Sequence, residues 1–119
     1  MSADCIFCKI VARELPSEIV FEDEELLAFK DINPQAPVHV LIIPKKHIAS
    51  LADVSEDDYG LLGRMLGKVK AIAEVAGSVN GFRTIVNTGE VGRQDVFHLH
   101  IHLLGGDEVL PPMMFRKKT

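Results

Sequence analysis

Near the C-terminus three histidines alternate with apolar residues, over Phe97-His98-Leu99-His100-Ile101-His102-Leu103-Leu104. Successive side chains on a β-strand point to opposite faces. The pattern therefore predicts a strand over 97–104, with Phe97, Leu99, Ile101 and Leu103 on an apolar face and His98, His100 and His102 on the other. Three of the five histidines of the chain then share one surface. Imidazole titrates near neutrality, attacks electrophiles and binds metals. Alternate residues on a strand stand roughly 6.5–7 Å apart, so the outer pair would be separated by about 13 Å. Such a row divides its duties more readily than it shares one ion.

The rest of the chain supplies a sheet for that strand. Residues 5–13 predict a short helix ending before Pro16. Residues 18–22 alternate as a strand, and Glu22-Asp23-Glu24-Glu25 turns into a second strand, 26–30. Two prolines make 31–37 a loop. The β-branched run 38–43 predicts a third strand, stopped by Pro44. Ser55, with Asp58 three residues on, opens one long helix that Gly77 closes. Tyr59, Leu62, Leu66, Val69 and Ala73 give it an apolar stripe. Gly60, Gly63 and Gly67 form a second stripe, which is either a local packing concession or the close approach of another helix across a dimer. Residues 82–87 predict a fourth strand before the polar loop 88–95. The sum is an α+β domain: a mostly antiparallel five-stranded sheet, one long helix over one face and a short N-terminal helix.

With 119 residues the chain is long enough for one domain and short for two. We expect a single domain over 1–119, with a core at about 4–112 and a tail at 113–119. The formal charge of −4 and the absence of a basic face exclude nonspecific nucleic-acid binding. The one basic cluster, Arg116-Lys117-Lys118, reads as a solvated end. No apolar run approaches the roughly 20 residues of a membrane span, and the N-terminus does not read as a signal peptide. The expectation is a cytoplasmic protein without membrane partners. In that reducing setting Cys5-Ile6-Phe7-Cys8 suggests a metal half-site or a redox pair. His47 and one histidine of the strand would complete a Cys₂His₂ zinc site.

These residues together resemble the histidine triad (HIT) family. His98-Leu99-His100-Ile101-His102-Leu103-Leu104 is similar to its His-φ-His-φ-His-φ-φ signature, φ being apolar. The stretch from Asp31 to His47, with Pro37-Val38-His39 and Ile43-Pro44-Lys45-Lys46-His47, resembles a second family block, and Asn87-Thr88-Gly89 with Gln94 resembles the loop before the triad. The likeness is nearest to the Hint branch. It implies a HIT-like homodimer that hydrolyses purine nucleoside 5′-phosphoramidates at the P–N bond, releasing AMP or GMP through a nucleotidyl-histidine.

The resemblance implies a role for each matching position. His100 would be the nucleophile, with its second nitrogen donating to the carbonyl of His98. His102 and His39 would tend the phosphate charge or the proton of the leaving amine. Asn87, Gln94 and the amides after it, at Asp95 and Val96, would lie along the phosphate. Asp31 would hold the ribose, and Ile10, Phe29, Ile32 and Leu41 would line the nucleoside cleft. Cys5, Cys8, His47 and His98 match the structural zinc ligands of some family members.

Two departures stand out. Gly92-Arg93-Gln94-Asp95 carries Arg93 where glycine is common, and Asp95 as an acid near the leaving group, which either serves as or tunes the proton donor to the amine or points away and contributes only its amide. The tail from Pro111 to Arg116 runs past the family's usual end, far enough to reach a partner subunit. Three rival functions remain open: a zinc-dependent hydrolase, a nucleotide-binding module with little turnover, and a dinucleoside polyphosphate hydrolase. The last branch typically continues from the triad into Pro-Arg, whereas Gly105-Gly106 follow here.

Overall fold

A computed structural model describes residues 4–113 of the chain. Within them β1 (Ile19–Glu22), β2 (Leu26–Lys30), β3 (Val38–Pro44), β4 (Arg83–Ile85) and β5 (Ile101–Gly105) form one sheet in the order β1-β2-β3-β5-β4. Every neighbouring pair is antiparallel. The first hairpin is set by Asp23, whose Oδ1 accepts the backbone N–H groups of Glu25 and Leu26 at 2.8 Å each. This is the local bond that makes Asp a turn residue.

Both faces of the sheet are covered. On one, Leu26, Ala28, Val40, Ile42, Leu99, Ile101 and Leu103 pack against α2 (Tyr59–Gly67) and α3 (Val69–Ala76). On the other, Leu27, Phe29, Leu41 and Ile43 pack against α1 (Ile6–Val11) through Phe7, Cys8 and Ile10. A strand buried on both sides reads as a continuous apolar run, and β3, in the middle, is that run. The pleat places His39 of β3 on the α1 side. There β3 and β5 are registered with Leu41 opposite His102.

Several expectations need correction. The ladder of the histidine strand starts at Ile101, so only His102 lies in it; His98 and His100 sit on the bent segment before it. The N–H of Leu99 is taken by the carbonyl of Ile48 at 2.7 Å, not by a neighbouring strand. The in–out alternation persists from Leu99 to Leu103, but Phe97 is 53% exposed. β4 is shorter than 82–87. The long helix is two, separated at Lys68, and Ser55 opens a 3₁₀ turn (Glu56–Asp58) ahead of α2. Gly77 does cap α3, in the left-handed conformation (φ 101°).

The buried helical stripe is Leu61, Met65, Val69, Ile72 and Ala73; Tyr59 and Leu66 are exposed. Two apolar stripes overlap here, and periodicity alone does not choose between them. A Cβ at Gly63 or Gly67 would meet nothing within 4 Å. Packing inside the chain therefore does not call for those two glycines. No helix among the described residues is long and apolar enough to cross a membrane. Of the tail, Met114 to Thr119, with the Arg116-Lys117-Lys118 cluster, lies outside the described residues.

Candidate active site

Three imidazoles and one carbonyl meet on the α1 face. His100 is buried, and its Nδ1 lies 2.7 Å from the carbonyl oxygen of His98. Only a protonated nitrogen can donate there, so the neutral ring carries its lone pair on Nε2. That Nε2 lies 3.8 Å from Asp95 Oδ1 at the mouth of the site. Phe7 of α1 stands edge-on to the His100 ring, with centroids 5.2 Å apart.

The backbone also fixes the other two tautomers. The N–H of Gln35 donates to His39 Nδ1 at 3.0 Å, so the proton of His39 sits on Nε2. His39 Nε2 lies 3.0 Å from His102 Nδ1, which must then accept. The proton of His102 is left on Nε2, a buried atom with no hydrogen-bond partner among the described residues. Asp31 Oδ2 approaches His39 Nε2 at 3.4 Å. Burial holds His39 and His102 below the ordinary histidine value; Asp31 opposes this at His39, while His100 and His39 reinforce it at His102. Burial thus favours the neutral form of both rings. An orphaned buried donor beside a free imidazole lone pair suits an anionic group that brings oxygens of its own.

The loop before the histidines is clamped by Gln94. Its Oε1 accepts the N–H of Gly89, and its Nε2 donates to the carbonyls of Ala49 and Val96. The side chain expected on the phosphate is thus spent on the loop. Gly92 allows the tight turn, since a Cβ there would lie 2.6 Å from the Thr88 carbonyl oxygen. Arg93 takes a left-handed conformation (φ 61°), which explains the glycine common at this place. Asn87, half-buried after β4, makes no hydrogen bond among the described residues.

Beside this loop a cleft of about 400 Å³ opens. Ile10, Phe29, Asp31, Ile32, Leu41, Asp95 and Val96, all expected around the nucleotide, line it. Ile32 is 91% exposed, at the rim. Phe7 and Leu15 also line it and were not anticipated. A Phe one residue before a cysteine carried no separate signal.

Behind the histidines lies a second cluster. The ligand atoms of Cys5, Cys8, His47 and His98 fall within 4.8 Å of one another. His98 Nδ1 is 3.3 Å from Cys5 Sγ, 3.6 Å from Cys8 Sγ and 3.2 Å from His47 Nδ1, and Cys8 Sγ is 3.3 Å from His47 Nδ1. Zinc bonds of about 2.3 Å to sulfur and 2.0–2.1 Å to nitrogen give tetrahedral edges of roughly 3.3–3.8 Å, so the set fits. His98 Nε2 donates to the Pro44 carbonyl at 2.7 Å, which turns an unprotonated Nδ1 inward. Such a backbone partner is the usual orienter of a histidine ligand. Burial and its histidine neighbours lower the His98 pKa.

A family model described as "Scavenger mRNA decapping enzyme C-term binding" matches residues 4–117. Protein HitA of Neisseria gonorrhoeae is 54% identical over 102 residues, covering 86% of this chain and 95% of its own. An uncharacterized HIT-like protein of Synechococcus elongatus is 54% identical over 112 residues, 94% of this chain and 98% of its own. The chain belongs to the HIT family. Its fold agrees with that of a HIT family hydrolase from Legionella pneumophila (TM-score 0.85, 49% identity, 92% of this chain and 98% of that one). It agrees equally with a HIT family hydrolase from Clostridium thermocellum (TM-score 0.88, 47% identity, 96% and 100%). In this HIT chain the signature is a junction: the side chain of His98 faces the thiols while its carbonyl orients His100.

Proposed function

We propose that this HIT protein is a hydrolase and, more narrowly, a Hint-like purine nucleoside phosphoramidase. It cleaves the P–N bond of adenosine or guanosine 5′-phosphoramidates and releases AMP or GMP. The observation that carries this reading is the bond from His100 Nδ1 to the His98 carbonyl, which leaves Nε2 nucleophilic beside an open cleft. Nε2 attacks the α-phosphorus, the P–N bond breaks, and the amine leaves past Asp95, taking its proton from solvent at the open mouth of the site. Water then breaks the P–Nε2 bond, its hydroxyl going to phosphorus and its proton to solvent, and the nucleotide and a neutral imidazole are released.

His102 Nε2–H donates to a phosphoryl oxygen as charge builds there, and His39 holds it in that tautomer. Gln94 acts through the loop it clamps, presenting the amides of Asp95 and Val96, with Asn87 at its base. Asp31 takes the ribose hydroxyls. Ile10, Phe29, Ile32 and Leu41 enclose the purine. Cys5, Cys8, His47 and His98 would hold a zinc ion, which when bound supplies a closed structural crosslink between α1 and the catalytic segment.

The protein works as a homodimer in the cytoplasm, where its thiols stay reduced. The exposed Gly60, Gly63 and Gly67 stripe, with Tyr59 and Leu66 beside it, suits the approach of a partner helix. The test is turnover of adenosine 5′-phosphoramidate. His100→Ala should lose at least about a thousandfold in kcat while still binding AMP; full turnover in that variant would overturn the reading.

A further inference from the structure

The carboxylate of Asp95 lies between an amide and the imidazole nitrogen of His100. Its Oδ1 accepts the backbone N–H of Val96 at 2.9 Å and lies 3.8 Å from His100 Nε2. In the phosphoramidase reading, on which this inference rests, those are two of the groups that meet the substrate phosphorus and its oxygens. The amide cannot serve both anions, so a bound phosphoryl group must displace the carboxylate. The side chain is 77% exposed, so water can take up the carboxylate once it leaves the amide.

Displaced, it has somewhere close to go. Asp95 lines the nucleoside cleft and also a neighbouring cleft of about 450 Å³, shared with Asp4, Ile6, His47 and Phe97. A carboxylate turned toward that second cleft stays within a few ångströms of the phosphoryl group. Its repulsion then scales with the charge of what is bound. A nucleoside phosphoramidate carries about one negative charge on phosphorus, whereas a phosphate monoester carries about 1.5 to 2 at pH 7. We propose that Asp95 is a specificity-determining residue, an internal anion that tolerates the monoanionic phosphoramidate and expels the dianionic product.

Three ligands of one nucleoside test this by calorimetry: adenosine, adenosine 5′-(methyl phosphate) and AMP, with charges of zero, about one and about two. Asp95→Asn removes the charge and keeps an acceptor for Val96; Asp95→Ser is a second variant should the first fold poorly. The expected result is tighter AMP binding by about tenfold, the methyl ester by about threefold and adenosine by less than twofold, the order of effect that unit charges about 4–6 Å apart support at the dielectric of water, which suits so exposed a side chain. Raising the salt should shrink the differences. Equal shifts for all three ligands, or none, would overturn the inference and leave the phosphoramidase reading standing. Failure of the unaltered protein to bind any of the three would overturn both.

Discussion

His39 Nε2 lies 3.0 Å from His102 Nδ1, and the backbone N–H of Gln35, 3.0 Å from His39 Nδ1, fixes which ring donates. One main-chain amide therefore decides where the proton of His102 sits, two side chains away. Replacing His39 by Ala should let His102 take either tautomer. We expect kcat to fall by about 10–100-fold, short of the loss at His100, with KM little changed. Steady-state kinetics of the variant check this; an unaltered kcat would remove His39 from the mechanism.

Burial of His39 and His102 also couples stability to pH. Both pKa values are lowered in the folded chain, so around and below the ordinary histidine value of 6.5 the unfolded chain binds more protons. The sign follows: stability is full above that value and falls as pH drops through it toward the lowered values. Urea unfolding at pH 7.5 and 5.5 should show the loss, and a variant with both histidines changed to Asn should show less of it.

Zinc capture should depend on all four ligands. The protein purified with zinc should hold one equivalent per chain. Cys8→Ser should lose the ion and about 10 °C of thermal stability, since a site absent from the unfolded chain adds its binding energy to folding. Elemental analysis and a melting curve read both. Strong chelation should mimic the substitution.

Arg93 sits at φ 61°, where a Cβ is strained. Arg93→Gly should stabilise the chain by about 0.5–1 kcal/mol in denaturant unfolding, the strain relieved exceeding the entropy that glycine adds to the unfolded chain.

Much of this was legible in the residues themselves. Parity placed Leu99, Ile101 and Leu103 in one core and His98, His100 and His102 opposite, because the pleat persists even where the ladder does not. The C-x-x-C spacing, with Cys5 accepting the N–H of Cys8 at 3.3 Å, puts both thiols on one helical turn toward His47 and His98. Where the ladder begins was not legible. That depends on β4 being only Arg83–Ile85 and on Ile48 taking the N–H of Leu99, both set by distant chain. The helix face was ambiguous because Leu61-Met65 and Leu62-Leu66 have the same spacing. The work of Gln94 was hidden because its partners, Gly89, Ala49 and Val96, are backbone atoms brought there by folding. Asp95 stood out as an acid in an unusual place, but its hold on the Val96 amide is a matter of geometry alone.

The most direct test is a rapid-quench experiment with enzyme in excess over adenosine 5′-phosphoramidate, stopped in base and read by peptide mass spectrometry. The account predicts one adenylyl group on the peptide carrying His100, appearing before AMP and decaying as AMP forms. Complete conversion to AMP with no adenylyl group on that peptide at any time, or with the group on another residue, would contradict it.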